Sequence, residues 1–398
     1  MNNSSKAFSI ISITIILAII PIVYRRDQTE TFQARYQLLD QWQSSKKPDQ
    51  HLDRDQLKQI VTNQTAQTAK IEVRKVILSI DKGGPWVLSK IHFNGCEYSN
   101  CDLIYSPDNI SYALQADALI FVPNTTQSLL QFPRAIRQRQ LWFVTSMEPP
   151  AYPWHRFNKI VNNFNGSMTY LRNSTPVQFF YGRTEKERKP IQQQPAINYS
   201  KSKTKGAFAY VSHCGSKQYN RLPFMRQLKK YINVDIFGGC TKQRPCPSRF
   251  DTKCEADKHY PYRFYLAFEN SLCTEYITEK FWKNLKSEGN FVPVALGGLS
   301  VQEYTDIAPP NSFIHVYNFS SVEALGKYLQ HLMTDDAAYN RYHEWRQHYS
   351  VSSFRKHQAC GLCKSINHPE SLLAERNRQL ADERNDENNC KNLLIPAI

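Results

Sequence analysis

RFYLAFENSLCTEYITEKFWKNL, residues 263–285, reads as an apolar strand ending at Glu269-Asn270, a short loop, and an amphipathic helix starting near Glu275. At about 100° per residue, Tyr276, Glu279, Lys280 and Lys283 share one arc. Ile277, Phe281 and Leu285 fill the adjoining arc and are expected to face a core. Open α/β sheets bind ligands where polar groups meet at the carboxyl end of a strand and the first turns of the next helix. The free N–H groups and partial positive charge of a helix N-terminus suit an anion such as phosphate.

The same alternation continues on both sides. AFAYVS (207–212), VDIFG (234–238), FVPVAL (291–296) and SFIHVYNF (312–319) are short apolar runs of buried-strand type. Helices are expected over 221–231 and 320–333. The second opens with a capping box, Ser320-Ser321-Val322-Glu323, and buries Val322, Leu325, Leu329 and Leu332. Before the polar linker ERKPIQQQPAINYSKSKTK (187–205) lies an earlier series, KVILSI (75–80), DALIFV (117–122) and LWFVTS (141–146). Strands alternating with helices argue for parallel sheets, and two such sets imply two Rossmann-like domains facing across a cleft. In VSHCGSKQYNR (211–221) a second strand end runs into a helix start, with Lys217 and Arg221 placed to hold an anion. Gly297-Gly298 after FVPVAL is either a backbone approach to a nucleotide or a plain tight turn.

Composition narrows the partners. With 398 residues, 41% hydrophobic and 12% aromatic, the chain is not wholly disordered, and with one bilayer-length apolar stretch it is not a polytopic transporter. Its 50 Lys and Arg against 35 Asp and Glu give a net charge of +15. That excess suits nucleic acid, an anionic membrane or a phosphorylated small molecule. No zinc-finger spacing, RNP-like strand or basic region leading into heptads is present, so nothing in the sequence points to nucleic acid, and a phosphate-bearing substrate fits the charge equally well. AFSIISITIILAIIPIV (7–23) is uncharged, preceded by Lys6 and followed by Arg25-Arg26. No small-x-small cleavage pattern follows, which favours an uncleaved signal anchor over a signal peptide. Sequons at Asn63, Asn109, Asn124, Asn165, Asn173, Asn198 and Asn318, with ten cysteines, indicate an oxidising lumen and a type II membrane protein. The expected organisation is a cytosolic tail (1–6), anchor (7–23), stem (24–68), two α/β domains (69–195 and 196–365) and a charged, Asn-rich appendage (366–398).

FYLAFENSLCTEYITEKFW, followed by VPVALGG and APPNSFIHVYNFSS, resembles the donor-binding region of the α1,3-fucosyltransferases. FNGSMTYLRNSTPVQFFYG (164–182) is similar to that family's central motif, and SMEPPAYP (146–153) to its acceptor-side loop. The resemblance covers about residues 70–365. It implies the GT-B fold of two Rossmann-like domains, Golgi residence, and inverting transfer of L-fucose from GDP-β-L-fucose to the 3-hydroxyl of GlcNAc in glycoprotein or glycolipid glycans. Glu148 then matches the general base, Arg221 and Lys280 the diphosphate grip, and Asn270, Tyr276 and Glu279 further donor contacts. Glu269 is the weaker pick, expected beneath the loop. The sequence departs at Gly166, where many relatives carry Trp, which bears on acceptor contacts more than on the donor.

Inversion at C1 needs a base for the acceptor hydroxyl proton and cations or helix dipoles for the departing GDP. No cofactor is required by this scheme, and a divalent cation is at most stimulatory. The only D-x-D, Asp53-Arg54-Asp55, lies in the expected stem. In a lumenal member of such a family, Cys360-Gly361-Leu362-Cys363 is expected to form a structural disulfide rather than to bind zinc, and Cys214, Cys240, Cys246, Cys254 and Cys273 are expected to supply further disulfides. Cys96 and Cys101 are close enough in sequence for a local bridge. The alternatives are a GT-B enzyme with another nucleotide sugar and a lumenal glycan-binding protein without turnover. Homodimerisation is left open.

Overall fold

The computed structural model of the protein describes residues 74–79, 91–105, 113, 115–122, 140–149, 164–187, 197–214, 221–248, 251–286, 289–352, 359–372 and 390. Among these, two five-stranded, fully parallel sheets carry the fold. The first is ordered β2-β1-β3-β4-β5, from β1 (Lys75–Ser79), β2 (Cys101–Tyr105), β3 (Ala118–Phe121), β4 (Leu141–Thr145) and β5 (Gly166–Met168). The second is ordered β11-β10-β9-β7-β8, from β7 (Lys205–Tyr210), β8 (Val234–Phe237), β9 (Tyr262–Phe268), β10 (Val292–Leu296) and β11 (Ile314–His315). Renumbered within itself, each sheet has the order 2-1-3-4-5, so each reverses its winding between its first and third strands. All seven residues of β9 and all five of β10 are buried, as continuous apolar runs in a sheet covered on both faces should be.

Helices α1 (Arg221–Leu228) and α5 (Val322–Thr334) pack on one face of the second sheet. Val322, Leu325, Leu329 and Leu332 are all buried there. The cap of α5 is Ser321, whose side chain accepts from Ala324 N–H, rather than Ser320. The reciprocal capping box sits instead on α4 (Val301–Ile307), between Ser300 and Glu303. Helix α3 (Glu279–Lys286) covers the opposite face with Phe281, Trp282 and Leu285. It begins four residues later than the apolar periodicity suggests, because Glu275 takes a left-handed φ of 58° and breaks the helical path. Tyr276 therefore belongs to the loop and is buried, not displayed on a helix face.

The chain crosses back after the second sheet. A two-stranded antiparallel ribbon joins β6 (Arg183–Lys186) to β12 (Tyr349–Ser352), and α7 (Cys360–Asn367) packs with the core of the first sheet. Two long-range disulfides fix that return, Cys96–Cys360 and Cys101–Cys363. Neither expected local bridge, Cys96–Cys101 or Cys360–Cys363, is thus made: the return of α7 to the first sheet gives each of the four a partner distant in sequence. The remaining bonds are Cys214–Cys240, Cys246–Cys254 and Cys273–Cys390. Among the described residues no helix is long and apolar enough to cross a membrane. The expected tail, anchor and most of the stem and appendage lie outside the described residues.

Candidate active site

The second sheet reverses between β7 and β9, and the chain leaving β9 carries the polar residues singled out above. Glu269 stands one residue past the strand and is fully buried. Its two oxygens accept from Thr278 N–H at 2.8 Å and Thr278 Oγ1 at 2.7 Å, so one carboxylate binds the backbone at the start of α3 from beneath. Lys280 Nζ lies 3.5 Å from Glu269, 3.1 Å from Glu279 Oε1 and 3.0 Å from Thr278 Oγ1. Arg221, at the first turn of α1, is buried and donates to Phe268 O at 2.6 Å. Asn270 follows, and its Oδ1 is buried with no hydrogen-bond partner, an acceptor that a ligand donor would satisfy.

The opposing wall comes from the first sheet. Beyond β4, the Ser146 hydroxyl accepts from Glu148 N–H at 2.9 Å and fixes the start of the loop. Glu148 is exposed, and its Oε2 accepts from the Tyr276 hydroxyl at 3.2 Å. Tyr276 is 1% exposed and packs edge-to-face on Tyr170, with centroids 5.1 Å apart. Tyr181 donates to Met147 O at 2.7 Å. One hydrogen bond thus joins the loop after β4 to the loop after β9.

Charge ties these groups into one neighbourhood. Burial, then Glu279, Glu148 and Glu269, pushes the Tyr181 phenol far up. Burial, then Tyr181, Glu269, Glu148 and Glu279, does the same to Tyr276, so both phenols stay protonated donors. Burial alone would lower Lys280, but Glu269 and Glu279 outweigh it and hold the ammonium above its usual range. Tyr265 beneath is pushed up to about 12, by burial first, within reach of Lys280, Glu279, Glu269 and Arg221. An exposed carboxylate, a lysine ammonium and a helix N-terminus therefore lie at one junction, an arrangement chemically suited to transfer of a group from an anionic leaving group.

Glu148, Arg221, Asn270, Tyr276, Glu279 and Lys280 all fall at this junction. Lys217 lies outside the described residues. Gly298 serves the loop rather than a ligand, since a Cβ there would collide with the Cys273 carbonyl. Thr278, Tyr170 and Tyr181 belong to the site but went unmarked in the sequence; no spacing rule points to them. A cavity of about 570 Å³ lies behind the loop, lined by Tyr181, Glu275, Ile277, Trp282 and Arg172 among others, and includes none of the six residues. Of the sequons, Asn198 and Asn318 are exposed, while Asn165 is half-buried and accepts from Trp142 N–H at 2.7 Å. Asn173 is half-buried, and Asn63, Asn109 and Asn124 lie outside the described residues.

Comparison with known proteins gives two family matches. Residues 200–382 match the model described as glycosyltransferase family 10 (fucosyltransferase) C-term, and residues 72–182 the model described as fucosyltransferase, N-terminal. The chain is 33% identical over 307 residues to glycoprotein 3-alpha-L-fucosyltransferase A of Drosophila melanogaster, covering 76% of this chain and 58% of that protein. It is 33% identical over 289 residues to alpha-(1,3)-fucosyltransferase fut-1 of Caenorhabditis elegans, covering 70% and 60% respectively. The chain therefore spans about three fifths of the length of these relatives. A crystal structure of an alpha1,3-fucosyltransferase aligns over 77% of this chain and 92% of its own, at 12% identity and a TM-score of 0.44, too distant to bear on the site.

Proposed function

The chain belongs to glycosyltransferase family 10, the fucosyltransferases, and we propose that it moves L-fucose from GDP-β-L-fucose to the 3-hydroxyl of GlcNAc in glycoprotein or glycolipid glycans. The observation that carries this reading is the Tyr276–Glu148 hydrogen bond. It sets a solvent-reaching carboxylate beside the loop that leads into α3, whose first turn bears Lys280. In the proposed reaction Glu148 takes the acceptor hydroxyl proton as that oxygen bonds to C1 of fucose. The bond from C1 to the β-phosphate oxygen breaks on the opposite face, and GDP leaves with the electron pair. Arg221, Lys280 and the N–H groups of α3 take up the charge on the diphosphate. Glu279 yields Lys280 to the incoming phosphate, and Asn270 meets a donor group of the nucleotide sugar. No step is routed through a metal.

The two sheets then form the two halves of a GT-B fold, an acceptor domain over 69–195 and a donor domain over 196–365, with the C-terminal helix crossing back. The apolar stretch 7–23, the sequons and the five disulfides support a single-pass type II protein with its catalytic part in the Golgi lumen. Among the described sequons, Asn198 and Asn318 are the ones exposed to glycosylation. The test is the secreted fragment from about Thr68, incubated with GDP-fucose and a panel of GlcNAc-bearing acceptors. A deoxyhexose added to one acceptor, with a 3-linkage by NMR, is expected. A folded fragment that neither binds GDP nor transfers fucose sinks the reading.

A further inference from the structure

The loop between β9 and α3 is fastened at both ends and in the middle. At one end the Arg221 guanidinium holds Phe268 O, and at the other Glu269 holds Thr278. In the middle Cys273 is 1% exposed and its backbone lies against Gly298. It is joined to Cys390 twice, by a disulfide and by an isolated antiparallel bridge. Cys390 also packs against the cluster of Tyr170, Cys273 and Tyr276. On the other side of the loop, Glu275 borders the cavity of about 570 Å³, while Ile277 is 6% exposed and packs in the core cluster of Phe281 and Trp282. Glu275 is held there by the Arg172 backbone N–H, which donates to its carboxylate at 2.7 Å, and by the Arg172 side chain at 3.2 Å, which is 56% exposed and adds little.

We propose that Cys390 is a positioning residue for fucosyl transfer: its bond to Cys273 holds the turn that presents the Tyr276 hydroxyl to Glu148. The coupling is short. Tyr276 N–H donates to Cys273 O at 3.2 Å across a turn whose Glu275 is left-handed, so a shift at Cys273 passes directly to Tyr276. Arg221 and Lys280 are anchored at the loop ends and do not depend on the clasp. A residue near the end of a charged, Asn-rich stretch thereby reaches the reacting groups from 117 residues away in sequence. The chemistry of this inference rests on the fucosyl-transfer reading; the clasp itself rests on geometry alone.

The test uses the full chain with Cys390→Ser, and with Cys273→Ala/Cys390→Ala, which leaves no unpaired thiol. A displacement of about 1 Å at a base costs on the order of 100-fold, so kcat is expected to fall about 10- to 100-fold in both variants, with GDP affinity retained. Tyr276→Phe is expected to cost activity in the wild type and to add nothing in the Cys390→Ser background. Full additivity of the two, or wild-type kcat in Cys390→Ser, overturns the positioning role. Deuterium exchange over 269–278 is expected to quicken without the bond, and needs no turnover to read. Unchanged exchange rejects the clasp, whereas failure of the wild type to transfer fucose rejects the functional reading and leaves the exchange result to decide the clasp.

Discussion

Glu148 and Tyr276 leave different sheets and meet at 3.2 Å, so the proposed base takes its orientation from the loop proposed to grip the donor. Glu148→Gln keeps the shape and the Tyr276 contact but removes the proton acceptor. Transfer should fall at least about 100-fold, the usual size of a general-base contribution, while GDP affinity stays near wild type. Wild-type turnover in this variant would remove the assignment. Lys280→Ala acts differently, because its ammonium stands between buried Glu269 and exposed Glu279. Its loss leaves Glu269 with only the Thr278 hydrogen bonds and takes a cation from the diphosphate, so GDP affinity and kcat should both fall. A loss confined to KM for the acceptor would place Lys280 elsewhere. Burial raises Glu269 above the usual carboxylate range, against the pull of Lys280 and Thr278, which suits a group that shapes the loop from below.

At the scale of an element, the loop from Glu269 to Thr278 is held by contacts that substitution can probe. Gly298→Ala would drive a methyl into the Cys273 carbonyl, and backbone on both sides cannot yield as a side-chain tip would. A loss of about 1–3 kcal/mol in unfolding free energy is expected, with transfer impaired further than stability alone explains. An unchanged denaturant midpoint would show that the loop moves freely there. The same loop marks the limit of what was legible beforehand. The strands of the second sheet were plain, because strands buried on both faces are unbroken apolar runs such as FYLAF and VPVAL. Edge strand β2, CDLIY, is half-buried and charged, and β5 is only Gly166–Met168, so neither offers such a run. The helical period ran on through Tyr276, and nothing about a glutamate announces the left-handed turn at Glu275 that ends it. Arg221, Tyr276, Glu279 and Lys280 were marked because strand ends and helix starts bear polar side chains together, and Glu148 and Asn270 by the family resemblance alone. Their partners across the fold, Tyr181 and Cys390, had no local signal: each contact is made only when distant segments pack.

Over the whole molecule, burial of basic groups makes the fold sensitive to acid. His343 is buried with neither ring nitrogen hydrogen-bonded, stacked on Tyr199 at 4.4 Å, and burial, then Arg346 and Lys203, lowers it from 6.5 to about 2. Burial lowers His315 to about 4. Burial and then Lys283 lower His259 to about 4, where it lies flat on Phe208 at 4.3 Å. These rings brace the second sheet from several sides, so their protonation is a property of the body rather than of the cleft. Each folded pKa lies below its unfolded value, so the unfolded chain takes up protons first as pH falls. The stability these neutral rings contribute is complete above about pH 6.5 and is lost as pH falls toward about 4. Lys203 works in the same sense at higher pH. Burial, then Arg263 and Arg346, lowers it from 10.5 to about 7, so stability continues to rise as pH climbs through that interval. The melting temperature of the secreted fragment should therefore drop steadily between about pH 6.5 and 4, and a flat profile there would mean the histidines are solvated. His343→Phe keeps a ring against Tyr199 and cannot bind a proton, so it should flatten part of that slope while leaving GDP binding untouched.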